Sequence, residues 1–144
     1  MSIYLDASVI VALFTDDPFT DRATTVLASK ADTVIVSDFA ALEFSSVVAR
    51  FVRIRSITEE QARTVLLNFD GWSERACQRV ATNGEIISRA EAFVRRRDTS
   101  LRTADAINIA LAESLHASLM TFDEKMSVAA RVLGVPLTAT HSTH

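Results

Sequence analysis

The stretch Leu101-Arg-Thr-Ala-Asp-Ala-Ile-Asn-Ile-Ala-Leu-Ala112 predicts a helix that is apolar on almost every side and yet carries one carboxylate, Asp105. Asp105 and Asn108 lie three residues apart and therefore on one face of this helix. A helix without a polar side is normally buried, and a buried ionised carboxylate is costly unless it is paired, hydrogen-bonded or bound to a metal. With Thr103 as the N-cap, backbone N–H groups of the first turn would supply a partner for Asp105. Whether capping suffices depends on the other acidic residues of the chain.

Length and composition are typical of one globular domain. The chain has 144 residues, enough to bury about two thirds of the surface of the unfolded chain. We expect one domain over residues 1–137 and a disordered tail over residues 138–144. A net charge of −3 does not favour a nucleic-acid binder. The single cysteine, Cys77, excludes an internal disulfide and a thiolate metal cage.

Hydropathy sets further limits on location and assembly. The N-terminus lacks the basic and apolar pattern of a secretory signal, and no apolar run approaches the roughly 18 residues that span a bilayer. We therefore expect a cytoplasmic protein without a membrane span. A hydrophobic fraction of 49% and a mean hydropathy of +0.20 are high for a monomer, which predicts that a partner chain covers part of the surface.

Short apolar runs that favour β-structure alternate with helical patterns. Three runs end at an acid, over residues 2–6, 33–38 and 118–123. Residues 84–88 and 135–137 are weaker candidates, the latter as a short edge strand. Helices are predicted over residues 7–14, 20–29, 39–53, 73–81, 89–97, 101–112 and 124–133, with a further one that begins at the capping box Thr58-Glu-Glu-Gln61 and ends or bends at Gly71. This alternation predicts an α/β fold of three layers, α/β/α, with a mostly parallel sheet.

Four acids fall where such a sheet would bring them to one edge. Parallel α/β sheets carry their sites at the carboxyl ends of the strands, where Asp6 and Asp123 are predicted. Glu43 lies inside the apolar stripe of the helix after the second strand and therefore points inward. Asp105, the fourth acid, lies in the first turn of the helix that leads into the strand over residues 118–123. Close carboxylates repel by on the order of a few kcal/mol per pair, and a divalent cation relieves that repulsion. Oxygen ligands without cysteine or a dependable histidine favour Mg²⁺ or Mn²⁺ over Zn²⁺.

The motifs around these acids resemble those of the PIN-domain ribonucleases, above all the VapC-type toxins of bacterial toxin–antitoxin pairs. The resemblance covers nearly the whole chain and rests on Tyr-Leu-Asp6-Ala-Ser, Ala-Leu-Glu43-Phe, Leu-Arg-Thr-Ala-Asp105-Ala-Ile-Asn and Met-Thr-Phe-Asp123. It implies a metal-dependent endoribonuclease with a five-stranded parallel sheet. Such a protein hydrolyses RNA phosphodiester bonds, is usually a homodimer, and is inhibited by a cognate antitoxin.

The resemblance also implies roles for individual residues. Asp6 and Asp105 match principal ligands of Mg²⁺ or Mn²⁺, Asp123 a ligand directly or through water, and Glu43 a ligand or the acceptor for the attacking water. Ser8 and Thr121 match hydroxyl positions near the metal. Asn108 stands where many relatives carry His, and we include it among the residues near the site.

Other charged and aromatic residues have simpler interpretations. Capping explains Asp38, and solvated turns explain Asp16, Asp17, Asp21 and Asp98. The arginines at 95–97 and at 50, 53 and 55 suit solvated helix ends better than an RNA path. The phenylalanines and Trp72 are expected in the core or under a partner.

Three alternatives to the nuclease fit the sequence less well. A haloacid-dehalogenase-like phosphatase needs a second Asp two residues after the first, where this chain has Ser8. A receiver domain needs an adjacent acidic pair directly after the first strand, where this chain has the single acid Asp6. A catalytically silent PIN-like protein-binding module should have lost at least one acid of the quartet, and none is lost.

Overall fold

The computed structural model describes residues 1–29 and 32–140. These ranges contain four strands and seven helices. The strands are β1 (Ile3–Leu5), β2 (Val34–Ser37), β3 (Cys77–Val80) and β4 (Ser118–Met120). The helices are α1 (Ala7–Phe14), α2 (Thr20–Ala28), α3 (Asp38–Arg53), α4 (Glu59–Ala76), α5 (Gly84–Arg96), α6 (Thr103–Ser114) and α7 (Glu124–Val132).

The four strands form one parallel sheet in the order β3-β2-β1-β4. The chain moves outward from β1 to β2 and β3, and then returns to place β4 on the other side of β1. The strand order therefore reverses between β1 and β4. In open α/β sheets such a reversal opens a crevice at the carboxyl ends of the two strands.

Helices cover both faces of the sheet, as the three-layer prediction requires. Tyr4 and Ile35 face a core that contains apolar side chains of α5, α6 and α7. The alternate strand residues Ile3, Leu5 and Val36 face a second core built with α1, α3 and α4. The period of two along β1 thus divides the apolar side chains between two layers.

Side-chain caps fix where several helices begin. The Thr58 hydroxyl accepts from Gln61 N–H at 3.0 Å, and the Gln61 side chain accepts from Thr58 N–H at 2.9 Å, which confirms the predicted capping box. Ser37 caps α3 by accepting from Ala40 N–H at 2.9 Å. These caps satisfy N–H groups that have no partner inside the helix.

The prediction of five strands is wrong for the described residues, which contain four. Residues 84–88 begin α5 rather than a strand, because the Asn83 side chain accepts from Ile86 N–H at 3.1 Å and caps the helix. Residues 135–137 contribute only one bridge, between Leu119 and Leu137. The adjacent Pro136 has no N–H for a ladder.

The region from Gly71 to Val80 also differs from the prediction. Gly71 lies inside α4, which continues to Ala76, and the predicted helix over residues 73–81 gives way to strand β3. The sequence of β3, Cys-Gln-Arg-Val, is polar at its centre, and Gln78 and Arg79 are exposed at one end of the sheet. Of the predicted disordered tail, residues 141–144 lie outside the described residues.

No helix in the described ranges is both long and apolar enough to cross a membrane.

Candidate active site

The four predicted acids line one cavity at the carboxyl edge of the sheet. Asp6 follows β1, Asp123 follows β4, and Glu43 and Asp105 project from α3 and α6. The cavity has a volume of about 240 Å³. Its other lining residues include Ser8, Arg102 and Asn108. The cavity therefore lies where the strand order reverses.

Asp6 is the most completely enclosed of the four acids, with 3% of its surface exposed. Its Oδ1 accepts from the Ser8 hydroxyl at 2.6 Å and from Val9 N–H at 3.3 Å, and its Oδ2 accepts from the Thr121 hydroxyl at 2.6 Å. Both hydroxyl oxygens also accept backbone N–H groups of the segment after β4. Burial raises the pKa of Asp6 from 3.8 to about 6 in spite of these bonds. Ser8 and Thr121 thus hold the Asp6 carboxylate in one orientation.

A directional chain of hydrogen bonds fixes Glu43. The Asn108 amide donates to Glu43 Oε1 at 2.8 Å and to the Ala104 carbonyl at 3.0 Å. Its Oδ1 accepts from the Tyr4 hydroxyl at 2.6 Å. Because the only hydroxyl proton of Tyr4 is used there, Ser37 Oγ at 2.7 Å must donate to the Tyr4 oxygen. The series of hydrogen bonds therefore runs, from donor to acceptor, from Ser37 through Tyr4 and Asn108 to Glu43.

Arg102 lies between the other two acids. Its Nε is 3.6 Å from Asp105 Oδ2, and its Nη2 is 3.5 Å from Asp123 Oδ2. Asp105 is 5% exposed, whereas the Arg102 side chain is 71% exposed. Asp123 Oδ1 caps α7 by accepting from Met126 N–H at 3.1 Å. The guanidinium therefore offsets negative charge at the solvent side of the cavity.

The cap of α6 differs in one detail from the prediction. Arg102 is the N-cap residue, and Thr103 is already the first helical residue. Asp105 accepts from Arg102 N–H at 3.4 Å, so the side chain reaches back across one turn. The expected contact of Asp105 with backbone donors at the helix start is present through this bond.

The environment of the cavity disfavours charge on Asp6, Glu43 and Asp105. Burial is the largest cause that raises the pKa of Glu43 and of Asp105, as it is for Asp6. Repulsion from Asp6 and Asp105 raises the pKa of Glu43 further, and repulsion from Asp123 does the same for Asp105. The acids are thus close enough to influence one another.

The acids do not form a compact ligand cluster as they stand. Among the described residues, no three His, Cys, Asp or Glu side chains are grouped closely enough to hold one metal ion. Each acid instead has its own partner: two hydroxyls for Asp6, Asn108 for Glu43, and Arg102 for Asp105 and Asp123. Side-chain rearrangement would therefore have to accompany metal binding.

Sequence reasoning missed Arg102 and Tyr4. Arg102 lies three residues before Asp105, the spacing at which an N-cap residue and an acid in the first turn meet, and that spacing was the available signal for its contact with Asp105, though not for its contact with Asp123. Tyr4 is 104 positions from Asn108, so no local pattern joins them. Asp38, which sequence reasoning excluded, is not among the residues that line the cavity and accepts from Thr82 N–H and hydroxyl at 3.0 and 2.6 Å.

The fold and the acidic cavity define a parallel α/β domain with its site at a reversal of strand order. Residues 3–132 match the family model described as PIN domain. The chain belongs to the PIN-domain family.

Solved structures share this fold. The VapC20 toxin of Mycobacterium tuberculosis, described as cleaving the sarcin-ricin loop, has a TM-score of 0.72 and 18% identity over 88% of this chain and 94% of that chain. VapBC2 from Rickettsia felis, bound to a promoter DNA fragment, has a TM-score of 0.69 and 16% identity over 95% of this chain and 97% of that chain. A toxin–antitoxin complex from Klebsiella pneumoniae has a TM-score of 0.62 and 18% identity over 98% of this chain and 99% of that chain. At these identities the likeness shows the fold alone. Comparison of the sequence with curated proteins finds no match.

Proposed function

We propose that this protein is a metal-dependent endoribonuclease that hydrolyses RNA phosphodiester bonds and acts as the toxin of a type II toxin–antitoxin system. The observation that carries the proposal is the meeting of four acids from four separate segments around one cavity. Three of these acids, Asp6, Glu43 and Asp105, have raised pKa values. Burying several acids together lowers the free energy of unfolding, and a protein-binding module without catalysis would gain no function from that loss of stability.

The chemistry of the cavity fits Mg²⁺ or Mn²⁺. All four acids offer hard oxygen donors, which these ions prefer, and a divalent cation would offset the repulsion that raises the pKa of Glu43 and Asp105. We assign Asp6 and Asp105 as principal ligands, Asp123 as a ligand directly or through water, and Glu43 as a ligand or as the acceptor for the attacking water. When bound, the cation would neutralise charge on the phosphate and lower the pKa of a water molecule.

Hydrogen bonds from the surrounding residues fix the orientation of two of the acids. Ser8 and Thr121 hold both oxygens of Asp6, so the orientation of this carboxylate is fixed before a cation binds. Asn108 holds Oε1 of Glu43, which leaves Oε2 to orient a water molecule and accept its proton. Preorganisation of this kind lowers the cost of reaching the reactive geometry.

We extend the proposal to two protein partners, a cognate antitoxin and a second copy of the chain. Folds of this kind occur in solved toxin–antitoxin complexes. Leu42, Ile54 and Leu67 are each at least 60% exposed. Exposed apolar side chains of this size support an interface in which a partner chain covers them. Sedimentation at tens of micromolar should show a dimer or a complex with a smaller chain, and a monomer without a co-purifying chain would contradict this part.

RNA cleavage tests the enzyme directly. Purified protein is incubated with structured RNAs in Mg²⁺, in Mn²⁺ and in EDTA. We expect cleavage with either ion, none in EDTA, and a loss of orders of magnitude in Asp105→Asn. Asp38→Asn is the matched control, because it makes the same chemical change at an acid outside the cavity. Cleavage by Asp105→Asn at nearly the wild-type rate would refute the proposed mechanism.

A further inference from the structure

A second cleft adjoins the acidic cavity and has a volume of about 520 Å³. The segment of residues 121–124 joins the two: Thr121, Phe122 and Glu124 line the cleft, whereas Asp123 lines the cavity. Thr121 also donates to Asp6 Oδ2. A ligand in the cleft would therefore contact the chain neighbours of Asp123 and the Thr121 residue whose hydroxyl is bonded to Asp6.

An aromatic stack with a cation forms part of the cleft wall. The rings of Phe19 and Phe122 are stacked with centroids 4.6 Å apart and an interplanar angle of 7°. The Arg22 guanidinium lies 5.4 Å from the centroid of the Phe19 ring. A guanidinium packed on a ring loses freedom before it meets a ligand, while its N–H edges stay available for hydrogen bonds. Phe19 thus prepares Arg22 to bind an anion.

The charges of the cleft also favour an anion. Arg22 and Arg131 both line it, and neither has a carboxylate within 4.0 Å in the described part of the chain. Glu124 is the acid among the described lining residues, so the balance is one positive charge. Arg22 lies in the first turn of α2, where the helix dipole disfavours a cation. A bound phosphate would offset that disadvantage and match the fork of donors on each guanidinium.

We propose that this cleft binds the backbone of the RNA substrate beside the scissile bond, with Arg22 and Arg131 as phosphate contacts; the inference rests on the proposed ribonuclease function. Continuity with the acidic cavity through residues 121–124 favours RNA over an acidic peptide. A single strand needs only a few local cations and an aromatic surface. RNA binding is therefore compatible with a net charge of −3.

Binding of a fluorescently labelled single-stranded RNA in EDTA, followed by anisotropy, tests the proposal. We expect the double variant Arg22→Ala/Arg131→Ala to bind at least about tenfold more weakly at low salt, and the slope of log affinity against log salt to decrease by about 1.4, or about 0.7 for each lost phosphate contact. Phe19→Leu should show a smaller loss, because it removes the support of Arg22 and no charge. The matched control Arg50→Ala/Arg63→Ala removes two exposed arginines elsewhere and should change neither value.

The outcomes separate this inference from the proposed function. Equal RNA affinity and salt slope in the two double variants would overturn the inference, even if the wild type cleaves RNA. Unchanged RNA affinity with loss of an antitoxin complex would also overturn it and assign the cleft to a protein. If the wild type binds RNA through Arg22 and Arg131 but cleaves none with Mg²⁺ or Mn²⁺, the inference stands and the nuclease proposal fails. In an active enzyme, the double variant should raise KM and leave kcat near the wild-type value.

Discussion

In metal-free buffer, the free energy of unfolding should fall as the pH rises through the range in which Asp6 ionises. Burial raises the pKa of Asp6 from 3.8 to about 6, so between these values the native state holds a proton that the unfolded state has released. Stability must then decrease as the pH rises. The difference between these two pKa values corresponds to ~3 kcal/mol in total, of which ~2 kcal/mol falls between about pH 4.5 and about pH 7.5.

Asp6→Asn should remove this loss, because the amide does not ionise. The amide must donate where Thr121 or Ser8 now donates, and one hydroxyl proton then loses its acceptor at a cost of ~1 kcal/mol. We therefore expect the variant and the wild type to be about equally stable near pH 4.5. At about pH 7.5 the variant should be more stable by ~2 kcal/mol.

Urea unfolding of both proteins in EDTA at the two pH values measures this difference. Asp38→Asn is a control of opposite sign: desolvation raises the pKa of Asp38, but the hydrogen bonds from Thr82 and Phe39 and the charge of Arg79 together lower it below its ordinary value. Asp38 thus stabilises the native state once ionised, and its removal should cost more at the higher pH. The reasoning is refuted if the difference between wild type and Asp6→Asn is the same at both pH values.

Three further changes test the remaining parts of the cavity. Asp105→Asn should leave the metal-free protein as stable as the wild type or more so, while the rise in Tm on adding Mg²⁺ should shrink; an undiminished rise would assign Asp105 to capping alone. Tyr4→Phe leaves Asn108 Oδ1 without its donor and should lower the free energy of unfolding by ~1–3 kcal/mol, with a loss in kcat as Glu43 loses its orientation; wild-type stability in chemical unfolding would contradict the hydrogen-bond chain. Arg102→Gln removes two long ion pairs of an exposed side chain, each worth ~0.2–1 kcal/mol, so Mg²⁺ should bind about 2- to 30-fold more tightly in a thermal-shift titration; unchanged affinity would show that Arg102 does not compete with the cation.

The parts of the fold that bury apolar side chains were predictable from the sequence. β1, β2 and β4 are apolar runs whose residues are almost all buried, and the capping box at Thr58 marks the start of α4. β3 was not predictable because its two central residues, Gln78 and Arg79, are polar and exposed, so the strand shows no apolar run or alternation. The start of α5 was missed although Asn83 supplied a cap, because the adjacent isoleucines suggested a strand.

In the candidate site, the positions of the acids were predictable from the sequence, whereas their hydrogen-bond partners were not. Strand-end and helix-face positions were enough to predict that Asp6, Glu43, Asp105 and Asp123 face one cavity, and all four line it. The partners of each acid depend on contacts between distant segments, such as the bond from Thr121 to Asp6, 115 positions apart. Local periodicity carries no information on those contacts, so the place of Arg102 and the link through Tyr4 required the three-dimensional structure.

The chain of hydrogen bonds from Ser37 to Glu43 allows a single arrangement of protons. Ser37 Oγ already accepts from Ala40 N–H, and the Asn108 amide has one acceptor end and one donor end. A neutral imidazole at the position of Asn108 would also offer one acceptor and one donor and would satisfy both neighbours. An imidazole gains a second donor near neutral pH, whereas an amide does not titrate. In this protein the orientation of Glu43 is therefore insulated from the protonation equilibrium that a histidine would introduce.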